Sequence, residues 1–210
     1  MNKLENQFKE KLLEEKNRSF SKRLSKIYDK GLIGSITLKR AKKTIEFANI
    51  KNNSKVLDVG CGTGSLLFLL LKKNTSLELH GIDLSEHMLK IARIKLGSRV
   101  NLKRESIKNL KNIYPSKYFD YIFVSDALHH FPNQGQFMHD TYKLLKKGGK
   151  LIINDFNLTR LGNLIFHLLE PGNSRMPMPK EYRQILLKSK FKNIKYRPFG
   201  IISFYMEGTK

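Results

Sequence analysis

The sequence predicts an α/β domain, a mostly parallel sheet with helices on both faces, preceded by a helical segment. Three observations carry this. From residue 55 onward short apolar runs alternate with helical stripes at the spacing of βαβ units. One junction, residues 56–65, runs from a strand through three glycines into a helix. Finally, 210 residues that are 40% hydrophobic and 28% charged suffice for one core; a chain this long buries about 70% of its unfolded surface without a disulfide or metal staple.

Each element follows from local pattern. Leu4, Phe8 and Leu12, then Phe20, Leu24 and Ile27, mark a helical stripe that breaks near residues 17–19 into two helices. Gly31 and Gly34 punctuate the chain before a third helix over 35–49, with Ile36, Ala41, Ile45 and Ala48 inward. Residues 56–59 read as a short buried strand ending in Gly60, and 65–73 as a helix. A second strand covers 77–82, followed by Asp83 and a helix that Ser85 caps. A weaker strand covers 99–103 and a strong one 118–125; the helix 134–146 is stopped by Gly148 and Gly149, and a strand follows at 150–154. Beyond it, 159–169 reads as helix and 170–179 as a loop in which three prolines forbid helix. Residues 181–189 read as helix, and 193–197 with 201–207 as a closing hairpin.

Composition excludes several classes. The longest apolar run, Leu66 to Leu71, is far short of the roughly 20 residues that span a bilayer. The N-terminus lacks an apolar h-region, which argues against a secretory signal. Cys61 is the only cysteine, so an internal disulfide or thiolate cluster is impossible, and a reducing, cytoplasmic home is expected. The net charge of +22 is spread along the chain: 13 cations face 6 acids in residues 1–50, 18 face 9 in 51–160, and 9 face 3 in 161–210. Of the 40 cations 30 are Lys and 10 Arg, whereas phosphate recognition favours arginine's planar fork. The charge therefore reads as a solvated lysine-rich surface, with weak contact to RNA or an anionic membrane surface as a secondary expectation.

The stretch 56–64, Val-Leu-Asp-Val-Gly-Cys-Gly-Thr-Gly, is the most informative. Glycine is needed where the backbone turns with positive φ and where a ligand lies against bare main chain. Asp83, at the end of the next strand, is placed to accept hydrogen bonds from a ribose. Dinucleotide folds use G-x-G-x-x-G, whose third small residue would fall on Ser65; here the spacing is G-x-G-x-G. Asp58 would repel a pyrophosphate but suits the ammonium of an amino-acid tail. The cofactor that has that tail and no phosphate is S-adenosyl-L-methionine (SAM).

With these residues the sequence resembles class I SAM-dependent methyltransferases, in the small-molecule group that includes the ubiquinone/menaquinone methyltransferases. The resemblance spans about residues 45–156 and rests on four stretches: 56–64; 81–85 with Met88; 119–131; and 144–155. It implies a Rossmann-like, seven-stranded, mostly parallel sheet with an antiparallel last strand, and an N-terminal helical lid over residues 1–50. The methyltransferase domain proper would be 51–210, with an acceptor region at about 156–190 inserted before the final hairpin. It also implies that Gly60, Cys61, Gly62 and Gly64 line the methionine moiety and that Asp58 holds the amino group. By the same implication Asp83 takes the ribose hydroxyls, Leu84 packs on the adenine, and Ser125 borders the cofactor. Family members usually carry an acid after strand three; here that position is Ser106, with Glu105 before it, leaving Ser106, Ile107 backbone or Glu105 for the adenine.

Methyl transfer from a sulfonium needs alignment and exclusion of water more than proton transfer. His129 and His130, past the fourth strand, are the candidates for a catalytic base or an acceptor clamp, set against a purely structural role at the strand end. Asp126 and Asp155 are similarly placed. No metal-ligand spacing occurs. The fourth strand ends Ser125-Asp-Ala-Leu128, without the Asn/Asp-Pro-Pro-Tyr/Phe box of base methylation, so a specific DNA partner is not expected. The expected acceptor is a small molecule. RNA methylation and SAM binding without turnover stand as alternatives, and monomer and homodimer are both open.

Overall fold

The computed structural model describes residues 12, 14–16, 31–74, 76–157, 177–200 and 202–210. Seven strands form one sheet: β1 (Lys55–Val59), β2 (Glu78–Asp83), β3 (Val100–Arg104), β4 (Phe119–Ser125), β5 (Leu145–Phe156), β6 (Lys192–Phe199) and β7 (Ser203–Thr209). Their order is β3-β2-β1-β4-β5-β7-β6. The pairs β1–β2, β1–β4, β2–β3 and β4–β5 are parallel, while β7 runs antiparallel to both β5 and β6. The seven-stranded sheet with a reversed last strand is thus as expected.

Helices α1 (Gly31–Ala48), α2 (Ser65–Lys73), α3 (Glu86–Leu96), α4 (Leu110–Ile113), α5 (Gln134–Leu144) and α6 (Pro179–Lys188) cover the faces. Residues of α1, α2 and α3, among them Ala41, Ile45, Leu67, Leu70 and Leu89, pack on Val56, Tyr121, Phe123 and Ile152. Leu110, Met138, Tyr182 and Leu186 close the other face over Leu57, Ile122, Leu151 and Phe204. Burial on both sides is why the central strands carry apolar residues almost without interruption. Gly81 marks a tight contact between layers: a Cβ there would stand 2.7 Å from Leu67 Cδ1 and 2.8 Å from Leu102 Cδ2. Gly81→Ala should therefore destabilise the fold by about 1–3 kcal/mol, read in chemical denaturation as a lower midpoint at unchanged slope.

Several boundaries move, each for a physical reason. The third predicted helix starts at Gly31, not 35, and Ile36 is 46% exposed rather than inward. The buried face runs through Gly34, Ala41, Thr44, Ile45 and Ala48. Ile36 lies two residues from Gly34, or about 200° around the helix. Helix α5 ends at Leu144 and β5 begins at once, so Gly148 and Gly149 lie inside a bulged strand rather than after a helix. The chain end holds them there: Gly148 N donates to Lys210 O (3.0 Å) and Lys210 N to Gly149 O (2.9 Å). Pro179, expected in the loop, opens α6 at the one turn where a missing N–H costs nothing. Glu181 completes that start by accepting from Met178 N at 2.8 Å.

The line drawn at residue 50 does not separate two cores, because Ala41, Ile45 and Ala48 share a cluster with Val56 and Leu70. The predicted helices within 1–30, apart from helical backbone at 12 and 14–16, lie outside the described residues. The same holds for the predicted helix 159–169 and most of the 170–179 loop. Among the described residues no helix is long and apolar enough to cross a membrane.

Candidate functional site

In the order 3-2-1-4-5-7-6 the chain leaves β1 toward one side and β4 lies on the other, and ligands bind at such a switch, outside the C-terminal ends of the strands. Two loops meet there. After β1 the backbone turns at Gly60 (φ 74°), Gly62 (φ 53°) and Gly64 (φ 77°), a region open to glycine and strained for other residues. Gly60 N and Cys61 N both donate to Ile82 O (2.9 and 3.0 Å), pinning the turn to β2. A Cβ on Gly60 would stand 2.6 Å from Ala127 Cβ, so the loop after β4 presses directly on this turn. Around Gly62, by contrast, a Cβ would meet nothing within 4 Å.

Asp83 ties the two inner loops together. Its Oδ2 accepts from Gly62 N (2.8 Å) and its Oδ1 from Ser85 N (2.8 Å). Burial pushes its carboxyl upward, the N–H groups of Ser85 and Gly62 and the nearby His130 pull it back, and the net shift stays upward. Asp58, 2% exposed, is in a harsher position: its Oδ1 has no hydrogen-bond partner among the described residues. Burial, reinforced by the Asp83 charge, pushes it up to about 8. A cationic ligand group beside such a carboxyl would offset the cost of charging it in a buried place.

The remaining predicted contacts follow the C-terminal ends of the neighbouring parallel strands. Leu84 is half-buried beside Asp83, and Ser125 Oγ is buried without a partner among the described residues. Glu105 N donates to Asp83 O (3.1 Å), which brings the loop after β3 to the same end of the sheet. There Ser106 Oγ donates to Glu14 Oε1 (3.0 Å), Lys108 Nζ pairs with the same oxygen (3.2 Å), and Ile107 opens a short 3-10 turn. Glu105 itself turns back to Ser106 N and Asn109 Nδ2. Cys61 packs against Gly81; burial, then the Asp83 and Asp58 carboxyls, push its thiol well up, which suits a packing residue and not a nucleophile.

The two histidines part company. His130 is half-buried and lies near enough to Asp83 to affect its ionisation. His129 is 1% exposed and turned inward, its Nδ1 2.7 Å from Asp155 Oδ1. Arg40 of α1 was not singled out from sequence, yet it pairs with Asp126, donates to Asn154 Oδ1 (3.1 Å) and lies 4.6 Å over the Phe156 ring. Its only sequence signal is being one of 10 Arg in a lysine-rich chain. Among the described residues no group of three His, Cys, Asp or Glu could hold a metal.

These residues fit SAM: an ammonium for Asp58, a ribose diol for the open lone pairs of Asp83, and a methionine chain along Gly62. A family model described as a methyltransferase domain matches residues 50–195. Phosphoethanolamine N-methyltransferase 3 of Arabidopsis thaliana is 31% identical over 135 residues, covering 64% of this chain and 27% of that protein. Demethylmenaquinone methyltransferase of Listeria welshimeri is 28% identical over 154 residues, covering 68% of this chain and 63% of that protein. The chain thus spans about a quarter of the length of the Arabidopsis relative. A SAM-dependent methyltransferase structure from Archaeoglobus fulgidus superposes with a TM-score of 0.69 at 21% identity, over 82% of this chain and 93% of that one. Phosphoethanolamine N-methyltransferase 2 of Haemonchus contortus, solved with phosphomonomethylethanolamine and S-adenosylhomocysteine, superposes at 0.69 with 16% identity, over 82% and 52%.

Proposed function

Because the chain belongs to the methyltransferase domain family, we propose that it transfers a methyl group from SAM to a small-molecule acceptor by in-line displacement. The observation that carries this is the buried Asp58 carboxyl, whose Oδ1 has no hydrogen-bond partner among the described residues, beside the open backbone of Gly62. When bound, the cofactor supplies a methyl group already activated on a sulfonium. The protein's own part is to bind, align and exclude water. Asp58 takes the ammonium, Asp83 the ribose, and the Gly60–Gly64 backbone the methionine chain. Leu84, Ser106 and Ile107 border the adenine side, and Ser125 the reacting end. His130, on the Asp83 side of the β4 loop, clamps the acceptor or accepts its proton.

Residues 1–50 act as a cap in this reading, supported by Glu14 reaching Ser106 and Lys108 at the adenine end. The small-molecule class is supported by relatives named for phosphoethanolamine and demethylmenaquinone. A cytoplasmic location accords with the single buried thiol.

Calorimetry with SAM and S-adenosylhomocysteine tests the cofactor, and a panel of phosphoethanolamine, a prenylated quinol and RNA tests the acceptor. Heat with both nucleosides and turnover of a small molecule is expected. Binding of NAD without SAM, or turnover of RNA alone, would overturn the reading. Asp83→Ala should weaken SAM by about 1–3 kcal/mol through lost ribose hydrogen bonds, and an unchanged affinity would remove Asp83 from the site.

A further inference from the structure

Asp155 is the penultimate residue of β5 and is fully buried, at 0% exposure. Both of its oxygens are spent on the loop after β4. Oδ1 accepts from His129 Nδ1 (2.7 Å) and from Phe156 N (2.8 Å), and Oδ2 accepts from His129 N (3.1 Å). One carboxylate thus grips the main chain and the ring of the same residue. That fixes the Nδ1–H of His129 as well as its backbone direction. A buried charge is costly unless fully bonded, and here three donors bond it. Burial raises the Asp155 carboxyl, but the charge and hydrogen bond of His129 outweigh this and hold it below the usual range.

What the grip controls is the next residue. The His129 and His130 rings are 4.1 Å apart, centroid to centroid, so His130 rests on a ring that Asp155 has locked. The loop's own bonds fix its main chain: His130 N donates to Ala127 O (3.0 Å), Phe131 N to Leu128 O (3.0 Å) and Gln134 Nε2 to Leu128 O (3.0 Å). Other groups interact electrostatically with the same carboxylate. Arg40, which pairs with Asp126, also lowers Asp155, and the Tyr182 phenol of α6 feels the Asp155 charge from the opposite side. Side chains of α1 and α6 are thus coupled electrostatically to one buried carboxylate.

We propose that Asp155 is a positioning residue for methyl transfer: acting through His129, which it holds by main chain and ring, it sets where the His130 imidazole stands at the crevice mouth. The inference rests on the acceptor-side placement of His130 proposed above. It assigns His129 a supporting role rather than a chemical one. Asp155→Asn is nearly isosteric, but its amide cannot accept from both His129 donors and Phe156 N at once, so the lock on His129 fails while the β5 backbone stays.

The test is histidine-labelled NMR on the full chain, free and with S-adenosylhomocysteine, for wild type, Asp155→Asn and His129→Gln. In both variants the His130 ring signals should shift, with S-adenosylhomocysteine affinity within about threefold of wild type. On an acceptor found in the panel, kcat should fall about ten- to a hundredfold with KM nearly unchanged. If Asp155→Asn fails to fold, His129→Gln breaks the same grip from the other side. Unmoved His130 ring signals and an unchanged kcat in a folded variant overturn the proposal. Absent heat with S-adenosylhomocysteine in wild type sinks the cofactor reading instead, and the His130 ring signals of the free protein still decide this one.

Discussion

Gly60→Ala is expected to lose SAM binding and to lower the melting temperature by about 4–20 °C, the largest combined effect of any substitution considered. Two costs add. The added methyl would lie 2.6 Å from Ala127 Cβ, an atom fixed to the backbone and unable to rotate away. Forcing such a contact costs about 1–3 kcal/mol. The residue is also held at φ 74° by two N–H bonds to Ile82 O, where an L side chain adds about 1–2 kcal/mol of strain. For a domain of this size about 2–5 kcal/mol corresponds to that drop in melting temperature.

Gly62→Ala is the informative control. Its φ is 53°, yet a Cβ there meets nothing within 4 Å, so only the strain remains and the fold should hold. The methyl would nevertheless point into the space assigned to the methionine chain. Thermal melts and calorimetry on both variants should show Gly60→Ala losing stability and binding together, and Gly62→Ala losing mainly binding. Equal loss of stability in the two would mean the loop is strained for reasons other than the Ala127 contact.

What could be read from sequence divides by range. The turn after β1, the Ser85 cap and the strand–helix alternation are local. Each depends on residues within a few positions, and each appears where the pattern put it. Features decided at long range were not legible. Nothing in residues 134–150 says that helix yields to strand at Leu145, because the partner that holds the bulge is Lys210. The phase of α1 depends on where it begins, and a start at Gly31 turns Ile36 to solvent. Adjacent histidines look equivalent in a sequence, and it is Asp155, 26 positions later, that holds His129 inward. Arg40 is the sharpest case, since its meaning lies in Asp126 and in Asn154, 114 residues away.

Asp58 should produce opposite effects on stability and on binding. Burial first, then the Asp83 charge, push its carboxyl up to about 8 in the free protein, against 3.8 for an unperturbed group. Between those values the folded state holds a proton that the unfolded state has released. Stability therefore falls as pH rises from about 4 to about 8. An ammonium next to the carboxylate reverses the preference, because it stabilises the charged form. Binding below pH 8 must then expel the Asp58 proton, and SAM affinity should rise from pH 6 toward pH 8, by up to about tenfold per unit. Asp58→Asn removes the buried charge and keeps the shape. At pH 8 it should melt higher than wild type and flatten the fall in melting temperature across this window. It should also weaken SAM by about 1.5–3 kcal/mol, the worth of a charged hydrogen bond. Calorimetry in buffers of different ionisation enthalpy reads the proton directly: release is expected from wild type at pH 6.5 and none from the variant. A pH-independent affinity with no proton released would show that the ammonium is held elsewhere, and the open backbone at Gly62 would then have to be explained by a ligand without a cationic tail.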